Sequence, residues 1–287
     1  MRVAAVVLLV GCSRAADPSA APIVPVEAPS SVLADAALPP VPAVPPAPLP
    51  DVAEADCLEG WRGLDASTCW VGAPDATTLL VYLSGIVPPV SRSPQRETVA
   101  RVVAAAAGRA HAAAILPRGR RGIGPADVKD WWAWPTSVAD ADRLGPELVA
   151  EWAAARSKLA DALGHGFGRT YLAGSSSGAY FIALLAFRPA GASLDVDGFA
   201  CASGGAAVLG GGGTRRPFYV GYAMGDPTSG GPKALAAQLR AAGWPLRVAE
   251  HTGGHGAREI YLDEAFAFWD GALAANAVKG SSDAAPP

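Results

Sequence analysis

Along most of the chain, short runs that are apolar at nearly every position alternate with longer stretches whose apolar residues recur at helical spacing. Residues 78–83 (TLLVYL) are the first such run, and residues 111–116, 170–173, 196–202, 218–223 and 245–249 repeat it. A strand that is apolar throughout has both faces covered, as in a parallel sheet between helical layers. The segments 94–109, 147–163, 179–187, 233–242 and 260–273 read as helices, several of them rich in Ala. Strands separated by helices predict an α/β fold class, with a mostly parallel central sheet and helices on both faces. Right-handed crossovers then bring the strand C-termini to one edge, where open α/β sheets bind ligands.

Both ends of the chain depart from this pattern. Met1-Arg2 is a minimal positive start, residues 3–10 are an apolar run too short to span a bilayer, and Leu9-Val10-Gly11-Cys12 closes it. Small residues ahead of a Cys in this position resemble the lipobox of bacterial lipoproteins. The resemblance implies cleavage before Cys12, lipid on its thiol, and a membrane-anchored protein of the cell envelope facing the periplasm or the exterior. Residues 13–50 are dominated by Pro, Ala, Val and Ser and read as an extended, disordered tether. Residues 51–275 then form the globular domain, and residues 276–287 read as a disordered tail.

Composition narrows the classes further. A length of 287 residues suits one large domain plus these extensions, and a net charge of −3 without a basic stripe argues against nucleic acid as a partner. Cys57 and Cys69 lie close together, and in an oxidising compartment a disulfide between them would close a loop worth about 3 kcal/mol. The alternative is two unrelated small buried residues; Cys201, inside an apolar run, reads as core. The four His are scattered without metal-ligand spacing, and no phosphate-cradling Gly motif follows a strand. No metal or cofactor is expected.

The candidate chemistry concentrates in residues 169–188, RTYLAGSSSGAYFIALLAFR. A strand, the turn Gly174-Ser175-Ser176-Ser177-Gly178 and a helix follow one another at once, the form of a nucleophile elbow. So tight a turn needs tiny flanking residues, lifts the Ser176 hydroxyl clear of the sheet, and leaves the Ser177 N–H at a helix N-terminus. A serine hydroxyl needs a base, and the base an orienting acid. Gly225-Asp226-Pro227 follows the fifth run, and His251-Thr252-Gly253-Gly254-His255-Gly256 follows the sixth.

In their order and strand–helix context, the elbow GSSSG, the turn GYAMGDP and the loop TGGHG resemble the α/β-hydrolase fold family over about residues 51–275. Secreted members with this compact layout resemble feruloyl esterase, polyhydroxyalkanoate depolymerase and dienelactone-hydrolase-like enzymes, and the match does not choose among them. The resemblance implies a serine hydrolase, most simply a carboxylesterase working through an acyl-enzyme, in which Ser176 attacks, His255 is the base and Asp226 orients it. It also implies an oxyanion hole made by the N–H of Ser177 and, by position, of Ile86. Ser84 stands where many members carry His. The residues themselves leave rivals open: His251 as base and Glu250 or Asp263 as acid, whereas His111 and His165 precede the elbow and fit the order poorly. A peptidase or amidase on the same scaffold, or a catalytically silent binding lipoprotein, are the functional alternatives.

For the substrate, Trp131, Trp132 and Trp134 are read as an aromatic wall, and Arg118, beside Arg120 and Arg121, as a site for a carboxylate or phosphate. A satellite core and a solvated surface are the competing readings. No inserted lid is visible between the fourth and fifth runs, which leaves an open pocket for a small-molecule ester.

Overall fold

The computed structural model describes residues 57–282, apart from residues 66, 91 and 209–212. The signal segment 1–12 with Cys12, the tether 13–50 and the last five residues of the tail lie outside the described residues.

The strands are β1 (Arg62–Gly63), β2 (Thr68–Gly72), β3 (Thr78–Leu83), β4 (Ala113–Pro117), β5 (Arg169–Ser175), β6 (Gly198–Ala202), β7 (Phe218–Ala223) and β8 (Leu246–His251). They form one sheet in the order β1-β2-β4-β3-β5-β6-β7-β8. β2 runs antiparallel to β1 and β4, and every pairing from β4 through β8 is parallel. Those six parallel strands correspond to the six apolar runs. In β3, Leu79, Val81 and Leu83 enter one core while Leu80 and Tyr82 enter the other, as the two-residue repeat of a strand requires.

Helices close both faces. α2 (Val138–Leu163), α3 (Ser177–Ala186) and α5 (Gly230–Ala241) supply Trp152, Phe181 and Leu235 to the first core. α1 (Pro94–Arg109) and α6 (Glu259–Ser282) supply Val103 and Trp269 to the second, where Trp269 stacks on Tyr171 at 4.2 Å. A single helical turn, α4 (Pro189–Ala192), follows α3. No helix among the described residues is long and apolar enough to cross a membrane. Cys57 and Cys69 form a disulfide with Cα atoms 5.8 Å apart, tying the entry of the described chain to β2. Cys201 is a buried free thiol.

Three features differ from the pattern-based expectation. β1 and β2 were not visible because they are short and owe their pairing to β4, with Cys69 opposite Leu116 and Trp70 opposite Ile115. α2 starts at Val138, capped by the Ser137 hydroxyl on the Asp140 N–H at 3.1 Å, and continues through Pro146 instead of starting after it. An interior proline costs about 3 kcal/mol, and here the buried stripe of Leu144, Leu148, Val149 and Trp152 offsets it. α6 runs to Ser282, so the stretch from Asn276 to that point, read as tail, is helical.

Candidate active site

The site is built where β3 and β5 lie side by side at the middle of the sheet, with Leu83 opposite Gly174. β5 ends at Ser175 and α3 begins at Ser177, so the chain turns from strand to helix through one residue. That residue, Ser176, has φ 51° and ψ −123°, a strained backbone conformation that persists only where its surroundings enforce it. Here they do. The Ser176 N–H donates to the Ala202 carbonyl at 3.1 Å, and its own carbonyl accepts the Tyr180 N–H at 3.1 Å. Gly178 closes the turn: a Cβ there would stand 2.3 Å from the Leu83 carbonyl oxygen, so only glycine lets α3 approach β3.

Ser176 is half-buried on the wall of an open cleft of about 430 Å³. His255 lines the same cleft, and Ile86, Val87, Pro94, Val99 and Ala257 give it an apolar surface. Among the described residues, none that lines it is an Asp, Glu, Lys or Arg. Ser177 is the first residue of α3, so its N–H is one of the unpaired donors of a helix N-terminus, and Ile86 comes from the loop that follows β3.

Asp226 stands just past β7 with its side chain fully buried. One carboxylate oxygen, Oδ2, meets His255 Nδ1 at 2.9 Å. The other, Oδ1, accepts the Thr228 N–H at 2.8 Å and the Thr228 hydroxyl at 2.7 Å. Burial is the largest single influence on this carboxyl and pushes its pKa up. The Thr228 hydroxyl, the Thr228 amide and the His255 ring together outweigh burial and hold it below the ordinary 3.8. An ionised carboxylate only accepts, so the proton of the pair sits on Nδ1 and Nε2 of His255 is left as a proton acceptor. Thr228 was not singled out in the sequence; Asp226-Pro227-Thr228 spells a turn in which an Asp side chain binds the amide two residues on, the signal that reveals it.

The rival residues are engaged elsewhere. His251 Nε2 lies 3.2 Å from Glu264 Oε2, which also accepts the Tyr219 hydroxyl at 2.7 Å. Glu250 faces Lys233 at 3.5 Å, and Asp263 pairs with Arg109 at 2.9 Å. His165 is bound to the Pro74 carbonyl at 2.8 Å, and His111 lies 3.2 Å from Asp75.

Of the expected substrate-binding residues, Trp134 needs correction. Trp134 is 1% exposed and packs between Trp152 and Phe181, with centroids 5.7 and 6.3 Å away, so it is core because its ring completes the layer under α2 and α3. Trp132 and Arg118 stack on each other at 5.0 Å and line a recess of about 50 Å³ that adjoins the Ser176 cleft through the shared Val87 and Val99, while Trp131 is half-buried and lines neither. Arg120 is buried and paired with Glu147 at 3.1 Å and with Glu151. The arginine cluster therefore does not form one anion site at the cleft.

Solved structures share this architecture. The chain is similar to esterase PE8, at 19% identity and a TM-score of 0.53, over 71% of this chain and 98% of that one. It is likewise similar to a carboxylesterase from Mesorhizobium loti, at 18% identity and a TM-score of 0.53, over 74% and 95%. The Bacillus cereus carboxylesterase matches at 15% identity and a TM-score of 0.50, over 71% and 93%. No family model matches the chain, and no curated protein matches it by sequence. The sheet order, the helices on both faces and these likenesses give the chain the α/β-hydrolase fold.

Proposed function

We propose that this chain is an extracytoplasmic serine hydrolase, a carboxylesterase acting on small or medium uncharged esters. One observation carries the reading: a buried carboxylate holds Nδ1 of His255, and that histidine shares a cleft with a serine on a strained strand-to-helix turn. Ser176 Oγ attacks the ester carbonyl carbon as its proton passes to His255 Nε2. The N–H groups of Ser177 and Ile86 hold the oxyanion, each worth about 3 kcal/mol in the transition state. The tetrahedral species collapses, the alcohol leaves with the proton from His255, and water repeats the sequence on the acyl-enzyme. Acid and regenerated Ser176 result.

The cleft has no Asp, Glu, Lys or Arg among its described lining, which supports a neutral reacting acyl group, while Arg96 and Arg118 line only the adjoining recess. The similar structures, an esterase and two carboxylesterases, support ester chemistry by analogy of fold. The lipobox-like start and the disulfide support placement in the cell envelope.

A fluorophosphonate probe tests the nucleophile. Labelling is expected to be lost in Ser176→Ala and kept in Ser175→Ala and Ser177→Ala; folded protein that never labels points to the binding role instead. A p-nitrophenyl ester series of rising chain length, set against p-nitroanilides, then reads acyl size and separates esterase from amidase. Cys12→Ala is expected to release the protein from membranes, and unchanged fractionation would remove the lipid anchor from the proposal.

A further inference from the structure

Two backbone donors would be enough to make the turn after β7. The Thr228 N–H binds Asp226 Oδ1 at 2.8 Å, and the Ser229 N–H binds the Asp226 carbonyl at 3.0 Å. The Thr228 hydroxyl is additional to that turn, and it points at the acid–base pair. Its Oγ1 lies 2.7 Å from Asp226 Oδ1 and 3.3 Å from His255 Nδ1. A threonine hydroxyl has one proton, and the ionised carboxylate can only accept, so that proton goes to Oδ1. What the hydroxyl turns to the ring is an oxygen lone pair.

We propose that Thr228 is a positioning residue for His255, its hydroxyl bridging the second oxygen of Asp226 and the Nδ1–H of the ring. With Oδ1 held by two donors from one residue, the carboxylate cannot rotate, and Oδ2 stays aimed at Nδ1. The Nδ1–H then lies between two acceptors, Oδ2 and Oγ1, both of which favour the positive ring that forms when Nε2 takes the serine proton. Without the hydroxyl the turn survives on its backbone bonds, but the carboxylate keeps one donor fewer and the ring loses an acceptor. Tyr180 of α3 also senses this pair: its own burial first, and the Asp226 carboxylate second, raise its pKa. The proposal rests on the hydrolase reading for its kinetic part and on the Asp226–His255 geometry for the rest.

Thr228→Val removes the hydroxyl at nearly constant shape, and Thr228→Ser restores it; Thr228→Ala replaces the valine variant if that one fails to fold. All are made in the full chain and compared with wild type by ester kinetics and by the far-downfield Nδ1–H proton resonance. Loss of one hydrogen bond to a charged group predicts a fall in kcat of roughly tenfold with KM within about twofold. The Nδ1–H resonance is expected to shift or broaden in the valine variant, and serine is expected to return both readouts to wild type. A valine variant with wild-type kcat and an unmoved resonance overturns the proposal, and so does a serine variant as impaired as valine. If the wild type neither labels with fluorophosphonate nor turns over ester, the hydrolase reading fails. The resonance, which needs no turnover, still decides whether the Thr228 hydroxyl positions the ring.

Discussion

Strain at the elbow can be measured by deleting the same hydroxyl in two ways. Ser176→Ala and Ser176→Gly both remove the nucleophile, so both are expected to be inactive and differ only in the Cβ atom. At φ 51° and ψ −123° that Cβ is unfavourable, a cost on the order of 1–3 kcal/mol that glycine does not incur. Glycine brings its own cost, about 0.5–1 kcal/mol of extra chain entropy lost on folding. The difference leaves Ser176→Gly more stable than Ser176→Ala by roughly 1 kcal/mol at the midpoints and at most about 2.5 kcal/mol. For a domain of this size each kcal/mol corresponds to about 2–4 °C in Tm. The assay is thermal unfolding of the two variants side by side, with urea titration as a check that the transition stays two-state. Crowding by the neighbouring loop adds nothing to this difference, since Gly85 carries no Cβ and so leaves room for that of Ser176. If the alanine variant melts above the glycine variant, the backbone at this turn is not strained and the argument fails.

Other perturbations probe the frame around the site. Gly178→Ala forces a Cβ against the Leu83 carbonyl oxygen, a backbone atom that no rotamer change can move, so a loss of at least about 2 kcal/mol is expected by denaturant titration. A denaturation midpoint equal to wild type would show that α3 can shift freely on β3. Replacing Cys57 and Cys69 by Ser opens a loop of sequence separation 12 and is expected to cost about 3 kcal/mol under oxidising conditions, with no further loss on adding reductant. Asp226→Asn is expected to lower kcat by about 10³–10⁴-fold, because the amide can hold Nδ1 in the wrong tautomer. The same substitution tests pH dependence. The folded Asp226 carboxyl titrates below its ordinary 3.8, so its stabilisation is present above that value and fades as pH falls toward the folded pKa. Melts of Asp226→Asn should therefore decline less steeply than wild type below about pH 4, and parallel curves would count against the depressed pKa.

The sequence by itself determined the elements whose burial is two-sided or whose turn chemistry is unusual. Strands such as TLLVYL are apolar at successive positions because helices cover both faces, and that reads directly from composition. The elbow was legible because a one-residue strand-to-helix turn admits only tiny neighbours, a demand that leaves the trace GSSSG. His255 and Asp226 could be nominated from their places after β8 and β7, since strand ends of a parallel sheet share one edge.

Tertiary structure alone decided the features that depend on distant partners. β2 is a strand because β4 offers it an edge, and α2 crosses Pro146 because α3 and the core beneath it reward the continued stripe. Trp132 and Trp134 are two residues apart, yet one lines a recess and the other is fully packed. Local sequence carries aromatic character but not the direction of burial. The same limit applied to Arg120, whose partners Glu147 and Glu151 come from another element, and to the Thr228 hydroxyl, whose reach toward His255 exists only once two loops meet. Periodicity and turn chemistry act over a few residues and so are written locally; pairing, enclosure and charge neutralisation act through space and are settled only by the closed fold.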